Sequence, residues 1–146
     1  MRAAVIGIAA LLACAAQLRA DTLTAAIVDP ATAIHSALAE DSMANVQANP
    51  GRIEDQAGKL GAPAAKIAAA ARELKATTKL ADARGAFGKM SDAIVAYMDE
   101  QKLSLDPKLA RIAFCPMVNK PWLQKDGPIL NPYYGTEMPT CGSFKK

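Results

Sequence analysis

Histidine is nearly absent from this chain, which has one in 146 residues. That scarcity argues against Zn(II) or Cu(II) sites built from several imidazole ligands. It also leaves no Ser-His-Asp arrangement, and the sequence holds neither an HExxH motif nor a glycine-rich phosphate-binding loop. We therefore do not expect an enzyme.

Aromatic residues are also scarce, at 5% of the chain, and no basic patch is interleaved with them. Proteins that bind nucleic acid concentrate both kinds of residue, so such a partner is not expected. The formal net charge is +3, but two of the basic residues, Arg2 and Arg19, lie in the first 20 residues. Removal of that segment would leave +1, so the basic character belongs largely to the N-terminus.

The N-terminus has the pattern of a secretory signal. Arg2 precedes the uncharged apolar run Ala3–Ala13, and small Ala20 provides a cleavage position. The run is too short to span a bilayer as a helix, so no transmembrane segment is expected after cleavage. An alternative is a bacterial lipoprotein signal ending at Cys14, which would anchor the protein through a lipid. We predict export to the periplasm, with residues 1–20 as signal peptide.

Alanine dominates residues 21–103, and apolar residues recur there at helical spacing. The clearest helix is predicted from Lys79 to Lys102; others begin at Asp29 as N-cap with Pro30, and at Pro63, with a break at Asn49-Pro50-Gly51. The expected fold class is all-α, a small antiparallel bundle of three or four helices. Residues 104–146 should form an irregular C-terminal cap on it, containing a short strand or hairpin at most, within one domain.

Side chains able to bind soft metals concentrate in the cap. Cys115, Met117, Met138 and Cys141 are two thiols and two thioethers, a donor set that suits Cu(I) or Ag(I). An extended Leu109–Met117 would place Cys115 and Met117 on one face. In an oxidising compartment, however, a Cys115–Cys141 disulfide explains the thiols equally well. Both interpretations stay open at this point.

The other candidate residues have simpler interpretations. Methionines on the helical stripes (Met43, Met90 and Met98) are expected to fill the core. His35 is expected on the surface of its helix. Trp122 is expected to anchor the cap onto the bundle.

The cap also carries motifs in a distinctive order. They are Ala113-Phe114-Cys115-Pro116-Met117, Trp122-Leu123-Gln124, Asn131-Pro132-Tyr133-Tyr134-Gly135, Met138 and Cys141-Gly142. Together with Ala86-Phe87-x-x-Met90-Ser91-Asp92 in the helical part, this order resembles the bacterial family called domain of unknown function 3347. Its members are exported proteins or C-terminal extensions of periplasmic adaptors in heavy-metal efflux systems. The resemblance implies copper or silver handling, with an efflux adaptor or another envelope protein as partner, and it assigns no ligands.

The sequence therefore leaves two hypotheses for the function of the protein. One is a periplasmic protein that binds or delivers Cu(I) or Ag(I) through Cys115, Met117, Met138 and Cys141. The other is a disulfide-stapled helical module that binds another envelope protein without any metal.

Overall fold

The computed structural model describes residues 23–145. The predicted signal peptide, with Cys14, lies outside the described residues. Within residues 23–145, no helix combines the length and the apolar character needed to cross a membrane.

Four α-helices occupy the first part of the described chain. They are α1 (Asp29–Ala39), α2 (Asn49–Leu60), α3 (Ala65–Lys75) and α4 (Leu80–Glu100). The predicted helix over Lys79–Lys102 is confirmed to within two residues at each end. Its inward stripe is also confirmed, since Phe87, Met90 and Ile94 are all buried.

Three of the four helices have a proline in or directly before their first turn, and α4 has none. Pro50 lies in the first turn of α2, and Pro63 lies in a 3₁₀ turn, Ala62–Ala64, directly before α3. The N-cap predicted at Asp29 is wrong, because a π-helical turn, Thr24–Val28, runs straight into α1. The reason is packing: Leu23, Ile27 and Val28 are almost fully buried, so the core stabilises helical backbone ahead of the local start signal.

The all-α prediction is wrong, since the chain is mixed α and β. The cap forms a three-stranded antiparallel sheet of β1 (Arg111–Cys115), β2 (Lys120–Gln124) and β3 (Ser143–Phe144), in the order β2-β1-β3. Pro116 falls in the turn after β1, and Pro121 lies in an edge strand, where a missing N–H is tolerated. The prolines that favoured an irregular cap are thus compatible with a sheet.

One core joins the helices to the sheet. Buried side chains of the helices, such as Ile34 and Phe87, belong to the same cluster as Ala113, Trp122 and Leu123 of the sheet. Strand β2 packs against α1 and α4. The cysteine-containing cap is therefore fixed in position by the helical layer.

Trp122 anchors the cap, as predicted. It is 0% exposed, and its ring packs against His35 of α1 and edge-on against Tyr133. Its indole N–H donates to Oε1 of Gln124 at 3.1 Å, so its polar atom is satisfied inside the core.

Candidate functional site

Two free cysteines lie side by side at the end of β1. Cys115 ends β1 and is buried, while Cys141 is half-buried and lies just before β3. Their Sγ atoms are 3.9 Å apart although 26 positions separate them in the chain. A disulfide has its sulfurs about 2.05 Å apart, so these two are neighbours without being bonded.

Gly142 makes this approach possible. Its φ is +140°, a value that L side chains rarely adopt. A Cβ at this position would also lie 2.6 Å from the Trp122 ring and 2.9 Å from the carbonyl oxygen of Phe114. The chain can pass close to β1, and bring Cys141 beside Cys115, because residue 142 has no side chain.

Asn131 connects the two cysteine segments and is 0% exposed. Its amide nitrogen donates to Sγ of Cys115 at 3.3 Å and to the carbonyl oxygen of Cys141. Its Oδ1 accepts the backbone N–H groups of Tyr133 and Tyr134. Sequence reasoning noticed Asn131 only as part of a motif, since nothing local shows that it reaches a sulfur 16 positions away.

The two thiols have different proton affinities. Burial by itself raises the pKa of Cys115, but hydrogen bonds from the Val118 backbone, Asn131, the Met117 backbone and Cys141 outweigh it and lower that pKa. Burial, the bond to Cys115 and repulsion by its negative charge raise the pKa of Cys141. Of the two thiols, Cys115 therefore has the lower pKa and loses its proton more readily than Cys141.

The two methionines of the predicted donor set lie beside the cysteines in the chain. Met117 is in the turn after β1 with 63% of its surface exposed, so it does not continue the strand as predicted. Met138 is half-buried, and its carbonyl oxygen accepts the backbone N–H of Cys141 at 3.2 Å. The cysteine pair forms the packed centre of the site. The two methionines are more accessible than Cys115, since Met117 is exposed and Met138 is half-buried.

Other conventional ligands do not gather in the described part of the chain. Within residues 23–145, no three or more His, Cys, Asp or Glu side chains form a group suited to a metal ion. A tetrahedral zinc site normally needs three or four such ligands. The two sulfurs instead suit a soft ion that accepts few ligands, as Cu(I) and Ag(I) do.

His35 was expected on the surface, and that prediction is wrong because α1 lies beneath the sheet. The side chain is 2% exposed, and its ring stacks on Trp122 with an interplanar angle of 11°. Nε2 lies 2.8 Å from the carbonyl oxygen of Leu130, so this nitrogen carries a proton and donates it. Through this hydrogen bond, His35 supports the segment that contains Asn131.

Burial lowers the pKa of His35 despite hydrogen bonds to backbone carbonyls that favour its charged form. The unfolded chain then binds a proton at higher pH than the folded chain does. The contribution of His35 to the free energy of unfolding is therefore complete above about pH 6.5 and declines as the pH falls. The free energy of unfolding declines by about 1.4 kcal/mol for each unit by which folding lowers the pKa of His35. Urea unfolding at neutral and mildly acidic pH should show this loss in wild type and a smaller loss in His35→Gln. Equal losses in the two proteins would contradict the assignment.

Comparison of the chain with protein-family models, with curated proteins and with solved structures finds no match to any of them. The resemblance to the family of unknown function, the absence of enzymatic activity and the periplasmic location therefore stay predictions.

Proposed function

We propose that this protein is an exported binding or delivery protein for Cu(I) or Ag(I), which it holds between Cys115 and Cys141. The observation that carries the proposal is the 3.9 Å separation of the two sulfur atoms in a buried, hydrogen-bonded setting. Thiolates are the strong ligands for such ions and must lose their protons to bind.

The sulfur separation fits a bridging ion. If the zinc–sulfur bond length of about 2.3 Å is taken as a guide, an ion between two sulfurs spans up to about 4.6 Å. The observed 3.9 Å lies inside that range, so the ion can enter with little movement of the backbone. A disulfide would require the sulfur atoms to close by nearly 2 Å.

The hydrogen bonds on Cys115 also favour the metal-binding role. Backbone N–H groups of Met117 and Val118 and the Asn131 amide stabilise negative charge on its sulfur. A metal-bound thiolate keeps part of that charge, whereas a disulfide sulfur has none and is a weak acceptor. Met117 and Met138 are proposed as additional thioether ligands that increase selectivity for soft ions.

The second candidate is the disulfide-stapled interaction module, which the closeness of the cysteines also favours. A Cys115–Cys141 bond would close a loop of about 26 residues and stabilise the fold by roughly 3–4 kcal/mol in the chain-entropy model. Export would provide the oxidising compartment that such a bond needs. The two functions share the cysteines and differ in whether the thiols are free in the working protein.

Native mass spectrometry of protein recovered from the periplasm would test the proposal. After reduction, we expect a chain that begins at Asp21, takes up one Cu(I) or Ag(I), and loses little of it to equimolar Zn(II), because thioether and thiolate sulfurs prefer soft ions. A lipid mass on Cys14 would instead indicate the anchored form. Equal retention of Zn(II), or uptake of no metal by the reduced protein, would contradict the proposed function.

A further inference from the structure

Cys115 is buried so completely that 0% of its surface is exposed. Its Sγ atom lies 3.9 Å from Sγ of Cys141, which is itself half-buried at the end of residues 134–141. We call residues 134–141 the closing loop. A metal ion that is to reach Cys115 therefore needs a local opening of the protein, although the closed site already has a sulfur separation that suits a bound ion.

The closing loop is held firmly at its two ends and only lightly between them. At its start, Tyr133 is buried, and its hydroxyl donates to the carbonyl oxygen of Pro121. At its end, Gly142 lies so close to the Trp122 ring that a side chain would not fit there. Between these ends only Gly135 is buried, so few buried contacts oppose a local opening.

An ion pair between α4 and the turn after α1 holds the middle of the closing loop. The Arg84 guanidinium donates to the Asp41 carboxylate and to the carbonyl oxygen of Leu38, which is 3.1 Å away. It also donates to the carbonyl oxygen of Pro132 at 2.9 Å. The other carboxylate oxygen of Asp41 accepts the backbone N–H of Thr136 at 3.3 Å and the hydroxyl of the same residue. We call Arg84, Asp41 and Thr136 the latch.

Gly135 shows how closely the closing loop meets the latch. Its φ is +55°, a left-handed value that favours glycine. A Cβ atom at this position would clash with the Asp41 carboxylate and with the Arg84 guanidinium. The loop therefore fits against the ion pair only because residue 135 has no side chain, and these contacts end when the loop moves away.

We propose that the latch keeps the closing loop shut over Cys115, and that its opening limits how fast a soft metal ion enters and leaves the site. The inference rests on the proposed function for the metal step, whereas the opening can be measured without any metal. The side chains of Arg84 and Asp41 are 18% and 36% exposed. Solvent and salt therefore weaken their attraction, and the pair can separate without unfolding of the core.

Thr136→Ala is the informative variant, because it removes a bond to Asp41 from an exposed side chain and leaves the core untouched. In the metal-free protein, we expect the bonded amide hydrogens of Gly135 and Cys141 to exchange with solvent about tenfold faster than in wild type, as loss of a hydrogen bond to a charged group implies. Amide hydrogens of α4, such as that of Phe87, should exchange at an unchanged rate. Equally faster exchange throughout the protein would mean that Thr136 stabilises the fold as a whole, and would overturn the proposal.

Thr140→Ala is the matched control, since Thr140 is exposed in the same loop and its truncation leaves the latch intact. Arg84→Gln breaks the ion pair itself and should increase exchange in the closing loop further than Thr136→Ala does. Its control is Arg72→Gln, which breaks the exposed ion pair of Arg72 with Glu54. Equal exchange of the closing loop in Thr136→Ala and Thr140→Ala would overturn the proposal, whether or not Arg84→Gln folds.

Transfer of Cu(I) from the loaded protein to a chelator, followed by stopped-flow spectroscopy, measures the metal step. Because the latch is closed both before and after binding, Thr136→Ala should accelerate uptake and release together, each by about tenfold, and leave the Kd nearly unchanged. A change in Kd at an unchanged release rate would overturn the proposal. If wild type binds no Cu(I) while the loop amides respond as expected, the proposed function fails and the role of the latch in holding the loop is supported.

Discussion

Trp122→Ala should destabilise the protein by about 3–5 kcal/mol, a large part of the 5–15 kcal/mol that stabilises a typical domain. The indole is 0% exposed and lies between α1 and the sheet, in contact with His35, Tyr133 and the backbone near Gly142. Its removal would leave a cavity where the cap meets the helices. Because it is the sole tryptophan, unfolding should be followed by circular dichroism in urea rather than by fluorescence.

Leu109→Ala provides the control for this prediction. Leu109 is 49% exposed just before β1, so its truncation should change the free energy of unfolding by no more than about 0.5 kcal/mol. Similar losses in the two variants would mean that Trp122 does not join the cap to the helical layer. A loss of the cap alone, with the helices still folded, would contradict the single core described here.

The helices could be predicted from the sequence because their signals are local. In α4, Phe87, Met90 and Ile94 repeat at three or four residues, and that spacing specifies the buried face without knowledge of the neighbours. Pro63 correctly marked the start of α3, whereas Pro50 was interpreted as a kink or a break and in fact lies in the first turn of α2. The same local reasoning failed at Asp29, where distant packing partners extend the helix backwards.

The sheet could not be predicted in the same way, because its partners are distant in sequence. Alternation in β1 was visible, but a strand needs neighbours, and β3 is two residues long with no periodicity to read. It pairs with β1 through Phe114 and Ser143, almost 30 positions apart. Pro121 at the edge and Pro116 in the turn made the segment look irregular, although both positions accept proline.

The sequence drew attention to the two cysteines but not to the residues that contact them. Cys115 and Cys141 were chosen because two thiols in a short cap are rare, and the structure brings them to 3.9 Å. Asn131 and His35 carried no such signal, since an amide or an imidazole becomes informative only when its burial and its partners are known. Met117 was predicted on the face of Cys115, but the strand ends at Cys115 and the methionine lies in an exposed turn.

The second large effect concerns the cysteines. Cys115→Ser/Cys141→Ser should lower Cu(I) affinity by more than about a hundredfold, since even the loss of a supporting residue around a metal typically costs 10–100-fold. The fold should survive, because the amide nitrogen of Asn131 can donate to a serine oxygen at position 115 as it does to the sulfur. Matching helical circular dichroism of the two proteins is the control for folding.

Competition titration against a Cu(I) chelator, with reduced wild type and this double variant side by side, measures whether Cys115 and Cys141 bind the metal. We expect wild type to remove one equivalent of Cu(I) from the chelator and the variant to remove almost none. Equal copper uptake by the two folded proteins would contradict this expectation, and would show that Cys115 and Cys141 are not the ligands.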